Sequence, residues 1–169
     1  LSAALELGAE VMRENMALRK ARSFRAEDGP AFVGVDQTET PEFKRWFGDS
    51  KVVDAQGKPL VVLHGTRAQF TAFDRKKSAS GMFGSGFYFT NERDMAEDYA
   101  DGGPVMEVYL SLQKPAPQDV ANEVVDRIGE DDADGIRAEL ERLGYDGVLM
   151  SQYGNTLAVA FRPEQIKSA

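Results

Sequence analysis

The amino-acid sequence predicts an α+β fold, and three observations support that prediction. Short apolar runs rich in β-branched or aromatic residues, as at 60–63 and 87–89, indicate strands. Apolar residues that recur at helical spacing, as at 136–143, indicate amphipathic helices. The two kinds of segment are interleaved without a regular strand–helix–strand rhythm, which favours α+β.

The first 35 residues are expected to stand apart from the main domain. Residues 2–22 carry apolar side chains at helical spacing and are predicted to form one amphipathic helix, and 25–34 have the composition of a linker. The chain begins without methionine or a signal-peptide pattern, so we expect it to continue a longer protein. The helix is either the tail of that upstream part or an appendage that packs on the domain at 36–169.

A helix and a turn are predicted before the first strand. Thr-Pro-Glu at 40–42 supplies a helix cap, a proline at the first helical position and an acid in the first turn. This helix should stop at Gly48. Residues 54–58 then have the composition of a turn between strands at 52–53 and 60–63.

The remaining elements follow from the same patterns. A loop at 70–73 is expected to dip into the core through two phenylalanines, and Asn91 is predicted to cap a helix. Met95, Ala96 and Tyr99 share one face of that helix. The later elements are predicted in the order strand 105–112, helix 120–128, helix 136–143, strand 147–150 and strand 157–161.

The composition predicts one soluble domain without metal chemistry. The 169 residues are enough for a single core, and 42% of them are hydrophobic. No apolar run approaches the roughly 18 residues that a membrane span needs. The absence of cysteine excludes disulfides and thiolate metal sites, and a single histidine excludes a multi-histidine zinc site.

The charge is acidic and unevenly distributed. A formal net charge of -8 disfavours general adhesion to nucleic acid or anionic membrane. Between Lys114 and Gly147 ten acids face only four bases, so this segment alone carries -6. A solvated helical surface is the first explanation of this excess, and an acidic docking surface is the alternative.

The candidate functional residues lie around the only histidine. His64 follows the run at 60–63, where the strand is expected to end and a ligand-contacting turn to begin. Tyr88 lies in an aromatic strand after the glycine-rich segment 84–86, which lets another backbone or a ligand approach closely. Each residue alone has a structural alternative: a hydrogen-bonded histidine in one case, a core tyrosine in the other.

Taken as an ordered set, these motifs resemble the NAD-binding core of ADP-ribosyltransferases of the diphtheria-toxin and poly(ADP-ribose) polymerase type. The set consists of His-Gly-Thr-Arg at 64–67, Gly-Met-Phe-Gly-Ser-Gly-Phe-Tyr-Phe-Thr at 81–90, then Ala96 and Tyr99. Over residues 38–169 the sequence is more similar still to bacterial and phage ADP-ribosyltransferase domains of polyvalent proteins and toxins. The resemblance implies a split mixed β-sheet with NAD in the cleft between its halves.

The resemblance also implies roles for individual residues. His64 would hydrogen-bond the adenosine ribose hydroxyl, because a neutral imidazole donates from one nitrogen and accepts at the other. The backbone of Gly65 would meet the nicotinamide amide. The ring of Tyr88 would stack on the nicotinamide, and Tyr99 would close the other face.

Further residues complete the expected NAD-binding set. Arg67, or the basic run at 75–77, would meet the pyrophosphate with the planar geometry of a guanidinium, and a solvated surface is the alternative for these bases. Thr66 and Thr90 belong to the same set. The resemblance therefore implies NAD as a substrate and no metal.

The sequence departs from the family pattern at a third position. Family members that elongate chains carry a glutamate at the start of the last strand, where Leu157 stands here. The polar candidates nearby are Gln165, Glu164 and Gln152. Gln165 is the expected catalytic residue, with docking of the C-terminal tail as its structural alternative. The missing glutamate implies single transfers rather than polymer growth.

The expected function is mono-ADP-ribosyl transfer from NAD to a macromolecule, with protein favoured over RNA, in an effector or toxin domain of a larger bacterial or phage polypeptide. The alternatives are an NAD glycohydrolase and a catalytically weak module that binds NAD or docks a protein. No membrane partner is expected, and the expected place of action is the cytoplasm of a bacterial or host cell.

Overall fold

The computed structural model describes residues 36–67 and 79–169. The predicted helix at 2–22, the linker, the loop at 70–73 and the basic run at 75–77 lie outside the described residues. The compact unit that contains the sheet spans Thr40–Ala169. A short 3-10 turn, Gln37–Glu39, comes before it in the chain.

The first helix, α1 (Pro41–Phe47), forms as its sequence predicts. The Thr40 hydroxyl accepts a hydrogen bond from the Phe43 N–H at 3.2 Å, which satisfies one of the free donors of the first turn. The helix ends at Gly48, whose φ of +52° lies in the left-handed region that glycine tolerates. Phe43 and Phe47 are buried beneath it.

Eight strands are present among the described residues, and their order makes a mixed sheet. They are β1 (Val62–Gly65), β2 (Ala79–Gly81), β3 (Gly84–Thr90), β4 (Val105–Leu110), β5 (Pro115–Ala116), β6 (Gly147–Gln152), β7 (Asn155–Ala160) and β8 (Ile166–Ser168). Seven of them follow the order β5-β6-β7-β3-β1-β4-β8, and β2 pairs with β3 outside this path. Only β5 and β6 pair in parallel. The α+β prediction is confirmed.

Three further helices are α2 (Arg93–Ala100), α3 (Gln118–Ile128) and α4 (Ala133–Arg142). The apolar residues form two clusters on opposite faces of the sheet. Strand β7 shows the alternation, since Val159 belongs to the first cluster and Ala158 and Ala160 to the second. The first cluster joins α3 and α4 to the sheet through Val124, Val125, Ile136, Leu140, Val148 and Phe161. The second contains Val62, Phe87, Phe89, Val108 and Leu110.

The sheet is split between β1 and β3. These two strands pair at a single position, Leu63 with Thr90, whereas β1 pairs with β4 at four positions and β3 with β7 at four. Beyond that one pair the backbones separate, so that His64 and Tyr88 lie on strands that have diverged. The split mixed sheet expected from the resemblance is confirmed.

Three local predictions need correction. The first strand is shifted by two residues, because His64 and Gly65 still pair with β4; His64 therefore lies within β1 and not after its end. The strand at 52–53 reduces to one bridge, from Val53 to Pro59. Asn91 does not cap α2, because its side chain is used by the turn between β6 and β7.

None of the described helices combines the length and the apolar character needed to cross a bilayer.

Candidate active site

The His64 ring occupies the gap where β1 and β3 separate. Its Nδ1 lies 2.7 Å from the backbone carbonyl of Tyr88, and its ring centroid lies 5.3 Å from that of Phe89. A hydrogen bond from the His64 side chain thus joins β1 to β3 beyond the last backbone pair of these strands. Because a carbonyl can only accept, the neutral ring carries its proton on Nδ1 and presents Nε2 as an acceptor.

Burial sets the charge state of this ring. Loss of hydration lowers the pKa of His64 below its ordinary value of 6.5, and the hydrogen bond to the Tyr88 carbonyl only partly opposes that effect. The imidazole is therefore neutral at physiological pH. This arrangement suits hydrogen bonding to an uncharged hydroxyl.

The Tyr88 side chain is held by the turn between β2 and β3. Its hydroxyl donates to the Gly84 carbonyl at 2.6 Å and accepts from the Phe83 N–H at 3.1 Å. Burial raises the pKa of Tyr88 to about 12; the Phe83 N–H acts in the opposite direction and the nearby Tyr99 phenol adds to the increase. The phenol therefore stays protonated and serves to fix the ring.

Two glycines make this geometry possible. A Cβ at Gly81 would lie 2.2 Å from Cζ of Tyr88, so the tyrosine ring rests directly against the β2 backbone. A Cβ at Gly65 would lie 1.9 Å from the carbonyl oxygen of Ala96, so β1 packs directly on α2. At both positions any side chain would force the elements apart.

The other expected NAD-binding residues have different surroundings. Arg67 is exposed and forms a 3.2 Å ion pair with Asp101, and the Thr66 N–H donates to the Pro104 carbonyl. Thr90 is buried, and its hydroxyl accepts from the Glu92 N–H at the start of α2.

Tyr99 lies close enough to Tyr88 to influence its ionisation, yet it is 70% exposed. The described structure thus brings His64, Tyr88 and Tyr99 together. It gives Thr90 a local role in the turn that leads into α2.

Gln165 lies away from this group. Its Oε1 accepts from the backbone N–H groups of Phe161 and Arg162, and its Nε2 donates to the Asp146 carbonyl. Its own carbonyl accepts from Ser111, whereas His64 lies opposite Met106, about 17 Å away along β4 at about 3.4 Å per residue.

The side chain of Gln165 lines a separate cavity of about 750 Å³, which Glu164 also lines. Gln152 lies at the exposed end of β6. The hydrogen bonds of Gln165 attach the C-terminal segment to the start of β6, which is the arrangement expected for docking of the tail.

Leu157 lies beside the candidate site. It pairs with Thr90 on one side and Met150 on the other, and it packs at the edge of the first core cluster together with Tyr88. An apolar side chain therefore stands on the same face of the sheet as the candidate stacking ring. In residues 36–67 and 79–169, no group of three or more metal-ligating side chains is placed to hold an ion.

Sequence reasoning missed the residues that hold the turn behind Tyr88. Ser85 is 7% exposed, and its hydroxyl donates to the Asp134 carboxylate at the start of α4. A buried serine within a glycine-rich strand was the one available signal. Its partner lies 49 residues away in the sequence, a distance that no local pattern spans.

Comparisons with known proteins show the family of this chain. One similar solved structure is titled "Crystal structure of an anti-CRISPR protein"; it is 16% identical with a TM-score of 0.39, and the similarity covers 65% of this chain and 95% of that one. The search of curated proteins found no match. The family model described as "ADP-Ribosyltransferase in polyvalent proteins" matches residues 54–169. Since that match covers well over half of the chain, the protein belongs to the ADP-ribosyltransferase family of polyvalent proteins.

Proposed function

We propose that residues 36–169 form a mono-ADP-ribosyltransferase domain that takes NAD as donor and modifies a macromolecule. The observation that carries this proposal is the separation of β1 from β3, with His64 and Tyr88 joined by a 2.7 Å hydrogen bond across the gap. The proposed cleft for NAD is this separation, which is bordered by the two strands that carry His64 and Tyr88.

Each ring has a binding role in this proposal. Nε2 of His64 accepts a hydrogen bond from a ribose hydroxyl, because Nδ1 is committed to the Tyr88 carbonyl. The Tyr88 ring stacks on the nicotinamide, and exposed Tyr99 closes over it. Each aromatic contact contributes about 0.5–1.5 kcal/mol beyond the area it buries.

The reaction needs orientation and charge stabilisation more than acid–base chemistry. The glycosidic bond of NAD breaks, its electron pair leaves with neutral nicotinamide, and the ribose carbon develops positive charge. The acceptor then forms a bond to that carbon and releases its proton to solvent. Holding the donor and the acceptor in line lowers the entropic part of the barrier. Tyr88 takes no part in proton transfer, since its pKa lies near 12.

Leu157 restricts the product. A leucine cannot polarise a ribose hydroxyl, so the domain lacks at this position the group expected for chain growth, and a single ADP-ribose per acceptor site is the proposed product. The same residue supports a second candidate, a domain that holds NAD and turns it over poorly. Hydrolysis of NAD by water is the third, and it needs the same binding residues.

The acceptor is proposed to be a protein, and the domain is proposed to act as an effector or toxin within a larger polypeptide. Support comes from the family, whose members are described as parts of polyvalent proteins. The acidic charge of -8 also disfavours broad binding to RNA.

The test is transfer of label from NAD carrying a labelled adenylate. The purified domain is incubated with labelled NAD and bacterial lysate, and the lysate is then digested in separate samples by protease or ribonuclease. The proposal is supported if the label is attached to macromolecules and moves to low-molecular-weight fragments only after protease treatment. Label released by ribonuclease would move the acceptor to RNA, and free ADP-ribose alone would establish the glycohydrolase. Bound but intact NAD would establish the weak binding module.

A further inference from the structure

The turn behind the Tyr88 ring is fixed by a residue from another part of the chain. Tyr88 bonds through its hydroxyl to two backbone groups of this turn, the Gly84 carbonyl at 2.6 Å and the Phe83 N–H at 3.1 Å. The orientation of the Tyr88 ring therefore depends on the position of this turn. What fixes the turn therefore decides where the ring lies.

Helix α4 supplies that support. A Cβ at Gly84 would lie 3.1 Å from the backbone nitrogen of Arg137 and 3.2 Å from the carbonyl oxygen of Ala133, so the turn lies against the first turn of the helix. Ser85, the next residue, is buried, and its hydroxyl donates to the Asp134 carboxylate. A hydrogen bond to a carboxylate is stronger than one between neutral groups.

We propose that Asp134, acting through Ser85, is a positioning residue that holds the Tyr88 ring in place for the nicotinamide. The inference rests on the proposed function only for the ligand; the mechanical link from α4 to the ring stands on the contacts alone. Without the carboxylate the β2–β3 turn keeps its backbone packing and loses its side-chain anchor to the helix. The ring then samples orientations that stack less well.

Because stacking acts on bound donor and transition state alike, the loss should appear in KM and not in kcat. Asp134→Ala should raise KM for NAD about fivefold, the effect expected from one lost hydrogen bond, while kcat changes less than about twofold. Asp134→Asn should restore KM, because an amide oxygen still accepts from Ser85.

The control is a cap on the same helix. Asp132 caps α4 by accepting a hydrogen bond from the Gly135 N–H at 2.9 Å, so Asp132→Ala weakens the same end of the helix but keeps the hydrogen bond between Ser85 and Asp134. It should lower the unfolding temperature and leave KM unchanged.

The hydrogen-exchange rate of the Phe83 amide measures the stability of the β2–β3 turn without relying on enzyme activity. This amide donates to the Tyr88 hydroxyl, so Asp134→Ala should speed its exchange while amides of β7 keep wild-type rates. Unchanged Phe83 exchange in Asp134→Ala, or equal acceleration in Asp132→Ala, would overturn the positioning role. If the wild-type domain releases no nicotinamide, the proposed function fails, and Phe83 exchange still decides whether Asp134 positions Tyr88.

Discussion

At the scale of single residues, the proposed role of His64 requires a neutral imidazole. Burial lowers the pKa of His64 from 6.5, so the folded protein favours the unprotonated ring more than the unfolded chain does. This preference adds to the free energy of unfolding. The contribution is complete above the pKa of the histidine in the unfolded chain, and it is lost as the pH falls through the lower pKa in the folded protein. Protonation also converts Nε2 from an acceptor to a donor.

We therefore predict that acid lowers the thermal stability of the wild type more than that of a variant without His64. The unfolding temperature of the wild type should fall relative to that of His64→Gln as the pH drops below about 6.5. Nicotinamide release by the wild type should decline over the same range. Parallel unfolding temperatures for both proteins from pH 8 to pH 5 would show that folding does not lower the pKa of His64.

A second residue-scale feature is the buried guanidinium of Arg137. This residue is 8% exposed, its Nε pairs with Glu141 at 2.7 Å, and its Nη2 has no hydrogen-bond partner among the described residues. Burial opposes ionisation of Glu141, yet hydrogen bonds from Arg137 and Arg162 hold its pKa below the ordinary value. A buried ion pair of this kind adds little net stability, whereas removing one partner is strongly destabilising because the other charge stays buried without compensation.

The two halves of this pair should therefore respond differently to substitution. Arg137→Met is expected to stay within about 1 kcal/mol of the wild type, because it removes an unsatisfied donor and Glu141 keeps Arg162. Glu141→Ala is expected to cost about 3 kcal/mol, because it strands a buried cation. Urea unfolding measures both, with exposed Arg142→Ala as a near-neutral control. Equal losses in the first two variants would contradict this explanation.

At the scale of elements, the turn between β6 and β7 is tied to the end of β3 by one side chain. Asn91 donates to the Gly154 carbonyl at 2.9 Å and accepts from the Thr156 N–H at 2.7 Å. This clamp holds β7 where Leu157 pairs with Thr90, next to the split in the sheet.

Removal of this clamp should loosen one hairpin and not the whole domain. Asn91→Ala is expected to cost about 2 kcal/mol for two lost hydrogen bonds and to speed hydrogen exchange at the Thr156 amide. Asn91→Asp keeps the acceptor for that amide and should preserve most of its protection. If exchange at Thr156 is as slow in the alanine variant as in the wild type, the clamp has no such role.

The elements show where sequence reasoning succeeds. Local signals predicted α1, because Thr40, Pro41 and Gly48 mark its ends within one segment. Strand β3 and helices α3 and α4 were likewise visible in their apolar patterns. No local pattern marks β5, β8 or the shifted start of β1, because each of them depends on a strand that is distant in the sequence.

The same division applies to the site. Motif order pointed to His64 and Tyr88, and the structure brings them together. Gln165 is a candidate as one of three polar residues near Leu157 in the sequence, and in the structure its amide bonds to the Arg162 N–H and the Asp146 carbonyl beyond the far end of β4. The link from Asp134 to Ser85 joins distant segments and needed the fold to be seen.

At the scale of the whole molecule, the proposed site lies where strands β1 and β3 separate. The first core packs α3 and α4 on one face of the sheet, and the second core spans the separation on the other face, since it contains Phe87 and Phe89 of β3 as well as Val62 of β1. This shared core joins the two halves of the sheet where only one backbone pair, Leu63 with Thr90, connects β1 and β3. Family membership and this architecture lead to the same proposed reaction.

The most direct test of this account is nicotinamide release from NAD by the wild type, Tyr88→Ala and Gln165→Ala, expressed per folded molecule. We predict release by the wild type and a loss of about tenfold or more in kcat/KM for Tyr88→Ala, since the stacking ring is gone. Gln165→Ala should be less stable to heat and equally active once corrected for folding. Full activity in Tyr88→Ala together with loss in Gln165→Ala would contradict the account and move the site to the other end of the sheet.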